Sequence, residues 1–250
     1  MLTEEEVRRS DNTNGLQKPQ SASQVIDSIG YGKFQFILTI IVGIANLCDA
    51  MEMMMLSLIG PILTCSPWRV STASVASLTT AVFLGMSIAS PLWGFLTDNY
   101  GRSKTLIVSS FLLLIFGGAA ALSPSFKWLL ILRFFCGMFI SCMPQGITLL
   151  MEYLPSQSRA RANIFLALLW ACGGSATIML GRFCMNIKTE YQWRIILGVG
   201  TIPLFLYLLC SFWVPESILY LVQNQNRAKA QEILKRIQIL NNLNNDPNLA

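Results

Sequence analysis

Six apolar runs, at residues 34–62, 74–96, 105–122, 128–151, 164–183 and 195–214, stand between a polar opening and a polar end. Each is long enough as a helix to cross a hydrocarbon core of ~30 Å, which takes about 20 residues. The runs are continuous rather than alternating with a period of two, and lipid leaves backbone amides unsolvated, so helices rather than a barrel satisfy them. The pattern predicts an all-α membrane protein with a six-transmembrane-helix bundle over residues 34–214. An even number of crossings puts both ends on one side, with residues 1–33 as a polar cytosolic segment and 215–250 as a cytosolic tail. In that tail Ala230, Ile233, Leu234, Ile237 and Leu240 recur at helical spacing opposite Arg227, Lys229, Glu232, Lys235 and Arg236. This predicts a short amphipathic surface helix, which the Asn-rich run 241–247 ends.

Composition agrees with the pattern: 53% of the 250 residues are hydrophobic and 12% charged, against about 25% charged in an average soluble domain. The net charge of +5 is spread over loops and ends instead of forming a stripe, which reads as a topology signal and excludes nucleic acid as a partner. With the amino terminus inside, 12 Lys and Arg fall on the cytosolic side and five on the other, at 69, 127, 182, 188 and 194. The flanks supply that bias, and it obeys the positive-inside rule. The opening Met1-Leu2-Thr3-Glu4-Glu5-Glu6 lacks the basic start and apolar core of a secretory signal, which keeps the amino terminus cytosolic.

Seven cysteines occur with no CxxC pair, and there is no histidine. No metal site is expected, and no cofactor. Thiols inside apolar runs read as small packing residues, while Cys65 and Cys184 fall near one membrane face, where a disulfide is an option. Without His, a metal cluster or a nucleophile beside a base, the chain does not read as an enzyme.

The chemistry lies in the first run, where Asp49 and Glu52 interrupt apolar helix. An acid at mid-membrane costs roughly 2.5–3.5 kcal/mol on insertion scales, so two within a turn need a cavity, a partner or a proton. Three residues apart, they share a helix face and can line one cavity, as part of a solute, cation or proton pathway. The blander alternative is that one acid merely pairs with a cation on another helix. The neighbouring Met51, Met53, Met54 and Met55 read as adaptable packing. Arg133, five residues after Trp128, is the other charge well inside an apolar run. It either pairs with the two acids across the bundle or snorkels to the interface.

Between the second and third runs lies Gly94-Phe95-Leu96-Thr97-Asp98-Asn99-Tyr100-Gly101-Arg102-Ser103-Lys104. Glycine suits a tight turn, and an acid followed by a guanidinium can clamp neighbouring helices; an ordinary basic turn is the alternative. The segment resembles the signature loop of the major facilitator superfamily, with Gly94, Asp98, Gly101 and Arg102 matching and Asn99 and Ser103 departing. Arg133-Phe134-Phe135-Cys136-Gly137, and Glu152-Tyr153-Leu154-Pro155 followed by Arg159 and Arg161, fall where that family has further marks. Pro215-Glu216-Ser217 is similar to the signature of its sugar and organic-ion branch, with Leu219 in place of an expected Arg. Within the branch, Asp49-Ala50-Met51-Glu52-Met53 and the lead-in Gly30-Tyr31-Gly32-Lys33-Phe34 look most like the synaptic vesicle 2-related transporters.

The resemblance covers residues 25 to about 240 and implies the first half of a twelve-helix fold. Read so, the chain is a fragment or short form, and its partner is either the missing carboxy-terminal half or a second copy. Gly85 with Ala89, or Gly173-Gly174, would serve as close-packing sites for helices. The implied function is alternating-access transport of a small organic solute, an organic ion in the first instance, coupled to a proton, a cation or nothing. Asp49 and Glu52 would touch substrate or ion, with Arg133 as their electrostatic partner. Gly94, Asp98, Gly101, Arg102, Glu152, Arg159, Arg161 and Glu216 would form the cytosolic gate. The alternative, favoured by the departures at Asn99, Ser103 and Leu219, is a non-transporting membrane protein that binds or regulates a partner. Either would reside in the plasma membrane or an intracellular vesicle.

Overall fold

The computed structural model describes residues 22–65, 68–185 and 191–242. The acidic opening, the basic Arg8, Arg9, Lys18 and Lys188, and the chain beyond 242 lie outside them. Helix α1 (Ala22–Ile29) leads through Gly30, at φ 73°, into α2 (Lys33–Cys65). Helix α3 (Thr72–Tyr100) starts where the Ser71 hydroxyl oxygen accepts from the Ser74 amide at 3.2 Å, which satisfies one of the donors a helix start leaves open. It turns at Gly101 directly into α4 (Arg102–Ala121). Helices α5 (Phe126–Ile140) and α6 (Pro144–Tyr153) follow, then a 3-10 turn at Ser156–Ser158 that runs into α7 (Arg159–Met185). Helix α8 (Gln192–Ser211) ends the membrane part, and the short α9 (Ile218–Gln223) and amphipathic α10 (Arg227–Leu240) complete the order. Among the described residues six segments are long and apolar enough to span a bilayer, with α5 and α6 counted as one.

The fourth apolar run differs from its sequence pattern, because it is broken rather than continuous. Pro144 has no amide to return to Ile140, and residues 141–146 are held instead by tighter bonds such as Met143 to Ile140 at 2.9 Å and Gly146 to Met143 at 2.9 Å. A missing donor shifts the ladder locally. Pro61, Pro91 and Pro203 stay inside helices.

Helix α2 is the hub: it packs on α7 and α8, while α3 lies along α5 and α4 along α5 and α8. Glycines let backbones meet. A side chain on Gly85 would strike the Phe134 carbonyl, one on Gly137 the Val82 carbonyl, and one on Gly173 the Leu47 carbonyl. Gly85, Ala89, Gly173 and Gly174 are all buried in these contacts within the chain, so they are not free to receive a second copy. Large apolar side chains such as Phe83, Phe111, Ile164, Met179 and Phe205 face outward instead. That is the surface a bilayer or an apposed helix bundle covers. Cys65 is exposed, Cys184 is buried, and both are free thiols.

The described parts of the polar flanks are folded against the bundle. Ile26 and Ile29 of α1 join the core with Phe34, Tyr153, Val214 and Ile237, and the Phe34 ring lies 5.5 Å from both Tyr153 and Trp213. The Asn241 carboxamide oxygen accepts from the Phe34 amide at 3.0 Å and its nitrogen donates to Gln35 at 2.9 Å, while Gln35 accepts from the Gly32 amide at 3.1 Å. A side chain from the far end of the chain thereby caps the first turn of α2.

Candidate functional site: a buried ion pair and a polar belt at one end of the bundle

Glu52 on α2 and Arg133 on α5 meet inside the bundle. Arg133 Nη1 donates to Glu52 Oε2 at 2.7 Å, and the side chains are only 2% and 5% exposed for Arg133 and Glu52 respectively. Of the two options for Arg133, the cross-bundle pair is the one realised. Such a pair offsets two large desolvation costs only when the geometry is good, and in a bilayer it is found where a bundle interior or cavity receives it. The pair is incompletely satisfied: Glu52 Oε1 and Arg133 Nε have no hydrogen-bond partner among the described residues. Oε1 faces Gly117 of α4, where an added Cβ would come within 3.7 Å of it and 3.5 Å of the Thr201 methyl on α8. The missing side chain keeps space beside that oxygen.

Asp49 goes elsewhere. Three residues on a helix turn a side chain by about 60°, which sends Glu52 toward α5 and Asp49 toward α7, where the Trp170 indole donates to Asp49 Oδ2 at 3.2 Å. The two acids line neighbouring grooves of α2 rather than sharing a partner. Trp170 was not singled out from sequence; the available signal was an indole donor in the middle of an apolar run, which needs an acceptor. Asn46, one turn earlier, donates to the Leu166 carbonyl at 2.8 Å and extends this polar seam along α7.

The second constellation lies at the end of the bundle where α3 turns into α4. Arg102 pairs with Glu152 on α6, and Glu152 also accepts from the Ser217 hydroxyl. The Glu216 carboxylate accepts from the Ser103 amide at 3.0 Å and the Ser217 amide at 3.1 Å. Since Gly101 has no side chain to cap α4, Glu216 supplies the anion at that helix start from 113 residues away, where the helix dipole favours it. Gly101 has φ 100° and a side chain there would strike that carboxylate, so two requirements fall on one glycine. The Tyr153 hydroxyl donates to the Glu216 carbonyl, Ser103 Oγ to the Val214 carbonyl at 2.9 Å, and Tyr220 to the Asn99 carbonyl at 3.0 Å.

The structure thus joins Gly101, Arg102, Glu152 and Glu216 and adds Ser103, Ser217 and Tyr153. Asp98 is exposed at the end of α3 and Arg161 is exposed on α7, and neither touches this network among the described residues. Arg159 donates to the Leu154 carbonyl at 3.1 Å, closing the α6–α7 corner. Gly94 faces open space.

Known proteins place this geometry in a family. The Synaptic vesicle 2-related protein of Xenopus laevis is 41% identical over 212 residues, covering 85% of this chain and 38% of its own length. The Organic cation/carnitine transporter 7 of Arabidopsis thaliana is 31% identical, with 88% and 43% covered. The fold is that of the proton:xylose symporter XylE, with a TM-score of 0.74 at 19% identity, over 83% of this chain and 50% of the symporter. The chain therefore spans about two fifths of the length of these curated relatives and matches the amino-terminal half of their fold. With the Major Facilitator Superfamily profile matching residues 42–242, the chain belongs to the major facilitator superfamily.

Proposed function

We propose that this chain supplies the amino-terminal six-helix half of a secondary transporter that moves a small organic solute, an organic ion, by alternating access. The observation that carries the reading is the buried Glu52–Arg133 pair with a free carboxylate oxygen beside Gly117. A charged pair inside an apolar bundle is expensive, and a passing ion or proton that exchanges with one partner gives that expense a use. Glu52 and Asp49 contact substrate or coupling ion on adjacent sides of α2, and Arg133 holds Glu52 oriented. The belt of Arg102, Glu152, Ser217 and Glu216 fastens the cytosolic end. The name of the Arabidopsis relative supports the organic-ion class, and the symporter's name supports a proton as coupling ion. Both ends of the chain lie in the cytosol, and the synaptic vesicle relative supports a vesicle membrane.

Uptake by proteoliposomes tests this, with the chain alone and joined to the second half of the Xenopus relative, against labelled organic cations and anions at several pH values. Asp49→Asn or Glu52→Gln is expected to lower uptake at least tenfold while membrane insertion is retained. Wild-type rates in both variants would remove Asp49 and Glu52 from the pathway.

A further inference from the structure

A cavity of about 800 Å³ opens between α9, α10 and the first turn of α4. Its walls carry four cations, Lys104, Lys229, Lys235 and Arg236, against two acids, Glu216 and Glu232. One of those acids is committed, since Glu216 already accepts from the Ser103 and Ser217 amides. The three lysines are exposed and make no ion pair among the described residues. Arg236 stands 4.8 Å over the Trp213 ring, which fixes its guanidinium at the edge of the cavity. Four convergent cations against one uncommitted carboxylate, Glu232, leave the hollow with an excess of positive charge, which is the chemistry that receives a phosphorylated polyanion.

The cavity's level and rim decide which source of phosphate it takes. Trp213 lies two residues beyond the end of α8 and Lys104 two residues beyond the start of α4, so the hollow sits where helices leave the apolar layer. Beside it, α9 and α10 present Leu219, Val222 and Ile239, which are 48%, 47% and 61% exposed. A soluble phosphate has no use for such a rim, whereas lipid at the interface covers it and brings a phosphate to the lysines. We infer that this cavity binds the headgroup of an anionic phospholipid carrying more than one negative charge. Binding clamps α10 to the bundle and adds to the hold that Asn241 has on α2. Which leaflet supplies the lipid depends on the orientation proposed above; the binding itself does not.

The test uses nanodiscs, which expose both membrane faces, so failure of the orientation or of transport leaves the result readable. The intact chain is reconstituted in phosphatidylcholine alone, with phosphatidylserine, or with phosphatidylinositol 4-phosphate, and lipid retained after detergent extraction is counted by native mass spectrometry. Phosphatidylinositol 4-phosphate is expected to be retained at least fivefold over phosphatidylcholine. Retention should fall to the phosphatidylcholine level in Lys104→Gln/Lys229→Gln/Lys235→Gln and persist in Lys127→Gln, which changes a lysine on the opposite side. The substituted lysines are exposed, and an unchanged melting midpoint certifies folding; the single variant Lys235→Gln, expected to give partial loss, covers a triple variant that misfolds. Equal retention in the triple variant, or equally tight binding of soluble inositol 1,4-bisphosphate, overturns the lipid assignment.

Discussion

At the scale of single residues, Glu52 and Arg133 set the terms. Their 2.7 Å pair is sealed from solvent, so removing one partner strands a charge, and the two deletions are not equivalent. An unpaired carboxyl can be neutralised by a proton, but a guanidinium cannot. Glu52→Gln is therefore expected to cost about 3–5 kcal/mol of stability and Arg133→Met less. The double variant Glu52→Met/Arg133→Met should recover most of the loss, since a well-packed apolar pair replaces a buried ionic one at little cost. Thermal unfolding in detergent checks this, and additive losses in the double variant would show that the pair is not energetically coupled. The sequence showed both members, because charges inside apolar runs stand out by type alone. It did not show that Asp49 and Glu52 diverge, since a shared helix face is about as wide as the 60° between them, and the choice of neighbour depends on where α5 and α7 pack. Nor did it show that Glu216 caps α4, a contact that arises only when residues 103 and 216 meet in three dimensions.

At the scale of elements, the long apolar helices were legible, and α1 and α9 were not. A run of twenty apolar residues has one physical solution in lipid, whereas α1 and α9, of eight and six residues, form because the bundle docks them. The break at Pro144 had a visible cause, but prolines at 61, 91 and 203 sit in unbroken helices, so proline alone did not distinguish the site. Besides the apolar packing of Ile26 and Ile29, α1 is docked through a carboxylate: Asp27 accepts from the Ser156 amide at 2.8 Å and from its hydroxyl at 3.0 Å. These bonds, the amide's first, then the hydroxyl's, and the charge of Arg159 hold Asp27 below its ordinary carboxylate range. A depressed folded value means the contribution is fully present above the unfolded value of about 4 and is lost as pH falls through the lower, folded one. Hydrogen exchange across α1, corrected for intrinsic rates, should therefore quicken below about pH 4. In Asp27→Ala it should already be fast at pH 7, with no further pH step of this origin. An α1 equally protected in both proteins would show that Ile26 and Ile29 alone hold it.

At the scale of the whole molecule, two apolar cores lie along the bundle, one around Phe34, Tyr153, Trp213 and Ile237 and the other around Met55, Leu129, Ile196 and Trp193. The polar belt of Arg102, Glu152 and Glu216 marks the first end, and that end also holds α1, α10 and the basic cavity. At the other end Arg194 stands over the Tyr191 and Trp193 rings and donates to the Ser123 carbonyl at 3.2 Å. If the first end is cytosolic, Cys65, exposed at the close of α2, faces the opposite compartment. The remaining thiols are poor targets for a polar reagent: Cys48, Cys136, Cys142 and Cys184 are buried, while Cys172 is exposed on the apolar flank of α7 and Cys210 is half-buried. In sealed cells with the protein at their surface, a membrane-impermeant maleimide is thus expected to label the wild-type chain from outside, and Cys65→Ser should abolish most of that labelling. Placing a single cysteine at Asn224 in the Cys65→Ser background should give label only after permeabilisation, because residue 224 closes α9 at the belt end. The reverse pattern would invert the bundle, and with it the compartment that the Arg102–Glu152 belt faces.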